Sequence, residues 1–123
     1  RLALEEANSR PGYEMFIELT GIRNILARAN EWRELGVDKM VYHRGWDEGN
    51  HSRSWTQEDY QIIKTLIEMG FEISVAGGLE LDMIPFFKGL EISVFIIGRA
   101  IRENENPAEA ARKFQTKIND IWN

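Results

Sequence analysis

FEISVAGGLELDMIPFFKG, residues Phe71–Gly89, sets a short apolar run, Ile73 to Ala76, directly against two glycines and follows it with a helical stretch around Leu81 to Phe87. Glycine at the end of a strand has two physical uses. It lets the chain turn through backbone angles that other residues resist, and it lets an anion approach bare backbone N–H groups. Strand, glycine and helix in that order are the marks of a βα unit.

The same unit recurs along the chain. Met15 to Leu19 reads as a strand, preceded by the turn-forming Asn8-Ser9-Arg10-Pro11-Gly12. Ile25, Leu26, Ala29, Trp32, Arg33 and Leu35 then fall at helical spacing, with Gly36 as the stop. Lys39 to His43 is a second strand, and a polar loop, Arg44 to Ser54, follows it. Thr56 caps the next helix, with Asp59 three residues on and an apolar stripe of Tyr60, Ile63, Leu66 and Ile67. Ser93 to Ile97 is the last strand, and Pro107 opens a final helix faced by Ala111, Phe114, Ile118 and Ile121. Apolar strands alternating with helices predict a parallel sheet covered by helices, an α/β fold. Two architectures fit: a small open doubly wound sheet, or half of a (β/α)₈ barrel, which needs about 250 residues. The chain has 123 residues and begins at Arg1 within a helical pattern (Leu2, Ala3, Leu4, Ala7). We therefore expect residues 1–123 to form a single partial barrel domain. A bare half-barrel exposes its sheet edges, so it calls for the other half or for a second copy.

Composition narrows the function classes. A net charge of -5 argues against a nucleic-acid partner. No apolar run reaches the roughly 20 residues of a membrane-spanning helix, and no signal peptide is visible, so a cytoplasmic location is expected. There is no cysteine, which rules out disulfide and thiolate chemistry in these residues.

Ligands of parallel sheets meet the carboxyl ends of the strands. Glu18, Thr20, His43, Arg44, Ala76, Gly77, Gly78, Gly98 and Arg99 all fall there. Glu18 is either a solvent-facing strand carboxylate or a barrel-lining one with a cationic partner. His43 is either structural or a general acid that also holds a water. The second histidine, His51, reads as solvated. Gly77-Gly78 and Gly98-Arg99 close successive strands. In (β/α)₈ barrels a phosphate commonly sits between the last two such loops, and arginine adds a charged fork of donors. Turn chemistry alone is the competing reading. Trp32, Trp55 and Trp122 read as core or interface residues, whereas Trp46, in the loop after the second strand, either covers a ligand or partner or packs down on the barrel rim. No HxxxH or CxxC spacing offers a metal site.

The segments IELTG (17–21), VYHRG (41–45) with SW nine residues on, GGL (77–79), FIIGRAI (95–101) and NPAEAARKF (106–114) with a later IW resemble, in that order, the 3-keto-L-gulonate 6-phosphate decarboxylase family. That family lies in the orotidine 5′-monophosphate decarboxylase suprafamily, alongside hexulose 6-phosphate synthase. The resemblance covers nearly the whole chain and implies the C-terminal half, strands five to eight, of a (β/α)₈ TIM barrel. It implies a homodimer that decarboxylates a phosphorylated keto sugar acid to L-xylulose 5-phosphate and CO₂ in bacterial L-ascorbate or sugar-acid use. It also implies a Mg²⁺ cofactor, with metal ligands in the N-terminal half and none in this chain. By position it makes Glu18 and His43 catalytic, Gly77, Gly78, Gly98 and Arg99 phosphate-binding, and Trp46 and Ala76 pocket residues. Trp46 stands where the decarboxylases have an arginine, and Ala76 where a threonine is usual. Both departures leave open an aldolase of the hexulose 6-phosphate synthase type. The family's Asp-x-Lys-x-x-Asp motif is not in this chain, so these residues alone are expected to be inactive, and a non-catalytic phosphate-binding half-barrel is the remaining alternative.

Overall fold

A computed structural model describes residues 3, 5–6, 9, 15–19, 24–44 and 55–122. Its centre is a four-stranded sheet in the order β1 (Ile17–Glu18), β2 (Lys39–His43), β3 (Glu72–Ala76) and β4 (Val94–Phe95). Every pairing is parallel. Between the strands run α1 (Ile25–Glu34), α2 (Gln57–Glu68) and a 3₁₀ helix over Leu81–Phe87. After β4 come α3 (Arg99–Arg102) and α4 (Pro107–Trp122).

The β2–β3 ladder is the long one, running from Lys39 opposite Glu72 to His43 opposite Ala76. Side chains alternate across a strand, so each strand has two faces. Met40, Tyr42, Ile73 and Val75 point into a core that they share with Ala29 and Trp32 of α1, Ile63 and Leu66 of α2, and Phe87. The opposite face carries Phe16, Glu18, Lys39, Val41, His43, Ser74, Ala76, Val94 and Ile96. Phe16, Val94 and Ile96 on this face are exposed. The sheet is thus a two-sided wall, covered by helices on one side and open on the other.

One polar group crosses the core layer. Asp59 is only 3% exposed. Its Oδ1 accepts from the Tyr42 hydroxyl at 2.6 Å, and its Oδ2 accepts from the Thr56 backbone N–H at 2.8 Å and the Thr56 hydroxyl at 3.1 Å. The Thr56 side chain in turn accepts from the Asp59 N–H, completing a capping box. The carboxylate therefore ties the start of α2 to the strand residue that precedes His43. Around it lies an aromatic cluster: Trp55 meets Tyr42, Phe86 and Phe87, and Phe87 meets Phe95. Trp122 closes the far end by donating from Nε1 to the Leu90 carbonyl at 2.8 Å.

Several sequence expectations are corrected. The first and last strands are shorter than Met15 to Leu19 and Ser93 to Ile97, because each has only one neighbour in the sheet. Leu26 and Leu35 stay exposed, since Ala29 and Trp32 define the buried side of α1. On α4 it is Ala110, not Ala111, that shares the core face with Phe114, four residues on. The short helix read around Leu81 to Phe87 is present over those residues, as a 3₁₀ helix with Pro85 inside it. Of the terminal helix expected from Leu2 to Ala7, Ala3, Glu5 and Glu6 are described and helical, and the rest lies outside the described residues.

Removing the Asp59 side chain leaves a buried tyrosine hydroxyl and a helix-cap N–H unsatisfied. Asp59→Ala should therefore cost about 2–4 kcal/mol. Tyr42→Phe, which deletes a single donor, should cost about 1 kcal/mol. Urea unfolding measures both, and a loss for Asp59→Ala within the roughly 0.5 kcal/mol of an ordinary surface change would contradict the role given to this carboxylate.

Candidate active site

The open face ends, at the carboxyl edge of the strands, in a cavity of about 620 Å³. That volume suits a small phosphorylated sugar. Glu18, Val41, His43, Ala76 and Ile96 contribute from the strands and their ends. Gly77 and Gly78, and Gly98 and Arg99, contribute from the two following loops. Six of the positions named from the sequence as catalytic or phosphate-binding, together with Ala76, therefore meet at one place.

Glu18 and His43 are neighbours because β1 pairs with β2, with Glu18 in register with Val41. His43 Nδ1 lies 4.0 Å from Glu18 Oε1. That separation is too long for a hydrogen bond; it is an electrostatic contact that becomes an ion pair when the imidazole is protonated. The Nδ1 atom is buried and has no hydrogen-bond partner among the described residues. The Glu18 side chain is well exposed at 59%, so the carboxylate faces the open side of the sheet and not the core.

The glycine pair answers a backbone requirement. Gly77 has φ 113° and Gly78 φ 63°, both in the region that glycine tolerates and most residues avoid. A side chain at Gly77 would also drive into the carbonyl oxygen of Arg44 and come within 2.8 Å of its backbone nitrogen. The turn is anchored on both sides: Arg44 N–H donates to the Ala76 carbonyl at 3.2 Å, and Leu79 is buried in the core. At Gly98, by contrast, a side chain would meet nothing within 4 Å. Packing does not require glycine there, and the missing side chain leaves room in the cavity that it lines. Arg99 follows at the start of α3 and is exposed to that cavity.

Sequence reading missed other lining residues. Leu79 and Glu80 continue the glycine turn, and Ala100, Arg102 and Glu103 come from α3 and its end, a helix too short for a periodic signal. Arg44, which follows His43, does not line the cavity; it is 4% exposed, on the core side of the glycine turn. Thr20, Trp46 and His51 lie outside the described residues. Among the described residues, no group of three or more His, Cys, Asp or Glu side chains is arranged to hold a metal ion. No described helix is long and apolar enough to cross a membrane.

Comparisons with known proteins agree with this fold. The family model of orotidine 5′-phosphate decarboxylase / HUMPS matches residues 3–114. The 3-keto-L-gulonate-6-phosphate decarboxylase UlaD of Salmonella typhi is 43% identical over 120 residues, covering 98% of this chain and 55% of its own length. A crystal structure of KGPDC from Streptococcus mutans superposes with a TM-score of 0.87 at 38% identity, covering 100% of this chain and 56% of that one. The 3-keto-L-gulonate-6-phosphate decarboxylase of Vibrio cholerae superposes with a TM-score of 0.76 at 30% identity, covering 99% of this chain and 54% of that one. The chain thus spans about half the length of the relatives it matches. It belongs to the orotidine 5′-phosphate decarboxylase / HUMPS family, and its parallel sheet and helices are half of a (β/α)₈ barrel.

Proposed function

We propose that this chain is the C-terminal, phosphate-gripping half of a lyase that decarboxylates 3-keto-L-gulonate 6-phosphate to L-xylulose 5-phosphate and CO₂. The observation that carries the reading is the convergence of two glycine-bearing loops and Arg99 on the same cavity as the Glu18–His43 pair. A phosphate group held by backbone N–H donors and a guanidinium would fix one end of the substrate. Binding energy from that non-reacting end then orients the reacting end.

The chemistry breaks one carbon–carbon bond. The carboxylate leaves as CO₂, its electron pair stays on the substrate as an enediolate, and a proton adds to that carbon. His43 is the group here that can supply or relay that proton. Glu18 stands beside it as a fixed negative charge, able to hold a protonated imidazole or a cationic side chain brought by the rest of the barrel. The resemblance also implies Mg²⁺. It places the ligands of that ion in the N-terminal half of the barrel, and among the described residues no group of three or more His, Cys, Asp or Glu side chains is arranged to hold one.

The other half of the barrel is the partner that best suits the open edges of β1 and β4, and the homodimer and cytoplasmic location implied by the resemblance belong to the same reading. The aldolase alternative is weaker on identity: two structures of 3-hexulose-6-phosphate synthase superpose at 24% and 28% identity, below the decarboxylases.

Full-length protein should release CO₂ from 3-keto-L-gulonate 6-phosphate and should not add formaldehyde to ribulose 5-phosphate. The reverse pattern would move the protein to the aldolases, and neither activity would leave a binding module. His43→Gln should lower kcat about 10²-fold or more, the usual weight of a positioned acid or base. Arg99→Ala should raise KM about 10–100-fold, as expected on losing a charge-assisted hydrogen bond. Steady-state kinetics on both variants reads these effects; an unchanged KM for Arg99→Ala would remove the phosphate assignment.

A further inference from the structure

Arg44 is a charged residue held inside the protein, next to a binding turn that it does not itself line. It is 4% exposed. The Nη2 atom donates to the Gly77 carbonyl at 3.2 Å. The guanidinium lies over the Trp55 ring, with Cζ 5.2 Å from the ring centroid. Trp55 is fixed in turn by Tyr42, Phe86 and Phe87. The backbone of Arg44 meets the same turn: its N–H bonds the Ala76 carbonyl, and its N and O atoms occupy the space that a Gly77 side chain would need. A side chain at Gly78 would come within 3.4 Å of Nη2. Arg44 therefore holds the turn at Ala76 and Gly77, and its guanidinium borders the space beside Gly78.

Burying a guanidinium is costly unless it is well paired, and arginine is suited to such a place because it stacks on aromatic faces and donates in a rigid fork. A turn whose amides must face a phosphate gains from such a rigid clamp, since donors already held in place lose little freedom on binding.

We propose that Arg44 is a positioning residue for phosphate: it locks the Gly77–Gly78 turn by gripping the Gly77 carbonyl, so that the amides of the turn are held ready for the dianion. This rests on the phosphate reading of the glycine turn. Trp55 holds the plane of the guanidinium, and through Tyr42 and Asp59 the turn is tied to the start of α2. Arg44 acts behind the first line of contacts, so its loss weakens binding without removing a group that touches the substrate.

The test uses inorganic phosphate as the probe, with full-length protein and ³¹P NMR or calorimetry. Arg44→Gln should weaken phosphate binding about tenfold, the scale of one charge-assisted hydrogen bond. Arg44→Lys, which restores the charge without the fork, should recover part of that loss. Both should raise KM for the phosphorylated substrate more than they lower kcat. A role confined to folding would instead lower thermal stability and leave the affinity of the folded fraction unchanged. Arg99→Ala runs alongside. If it weakens binding while both Arg44 variants bind like the parent, the Arg44 inference is wrong and the phosphate reading stands. If Arg99→Ala also leaves binding unchanged, the phosphate reading itself is wrong. If Arg44→Gln fails to fold, Arg44→Lys decides the matter: parental affinity, or failure to fold as well, makes Arg44 a core residue and overturns the inference.

Discussion

The β2–β3 ladder fixes nearly everything that matters at the site. Five residue pairs in parallel register carry His43 to the same level as Ala76. From that level the next residues on the two strands, Arg44 and Gly77, are forced against each other. The Arg44 backbone fills the space beside Gly77, so only glycine fits, and it fits only with a positive φ. A slip by one residue would turn every side chain to the other face, sending Tyr42 out of the core and His43 into it. Register is therefore set by the buried pairs Met40 with Ile73 and Tyr42 with Val75, and the site inherits its geometry from them.

The sheet's two faces do separate work. One is buried under α1, α2 and the aromatic cluster around Trp55 and Phe87, and the Asp59 carboxylate crosses this layer with its acceptors satisfied. The other carries a mixed set, with Phe16, Lys39, Val41 and Val94 lower on the strands and Glu18, His43, Ala76 and Ile96 toward their carboxyl ends. The cavity at those carboxyl ends suits an architecture in which stability is built at one end of the barrel and chemistry at the other. The exposed Phe16, Val94 and Ile96 lie on the side that a complete barrel would fill with layered side chains.

Much of this was legible in the residue order, for identifiable reasons. Lys39–His43 alternates between core and open faces, and the structure returns it as a strand with the bounds read from the sequence. Thr56 and Asp59 carry their capping chemistry in local spacing, and Pro107 opens its helix where read. The gathering of Glu18, His43 and the glycine loops also followed from sequence, because any parallel sheet brings its strand ends together. What local pattern could not show is contact at long range. Arg44 reads as a strand-end residue that opens a polar loop, yet Gly77 and Trp55 are among its partners, and no periodicity joins them. The length of β1 and β4 was misread for a similar reason, since a strand's extent depends on its neighbours and not only on its own residues. Arg99–Arg102 is too short to have a period at all.

The central claim is that the strand-end glycines hold a phosphate on their backbone amides. Full-length protein labelled with ¹⁵N only at glycine tests it most directly, through the amide spectrum as a sugar phosphate is added. The account predicts that the Gly77, Gly78 and Gly98 amides shift together, with one shared affinity, while Gly36 and Gly70, at the ends of helices away from the cavity, stay in place. Amides of the strand-end glycines that do not move under saturating ligand would contradict it.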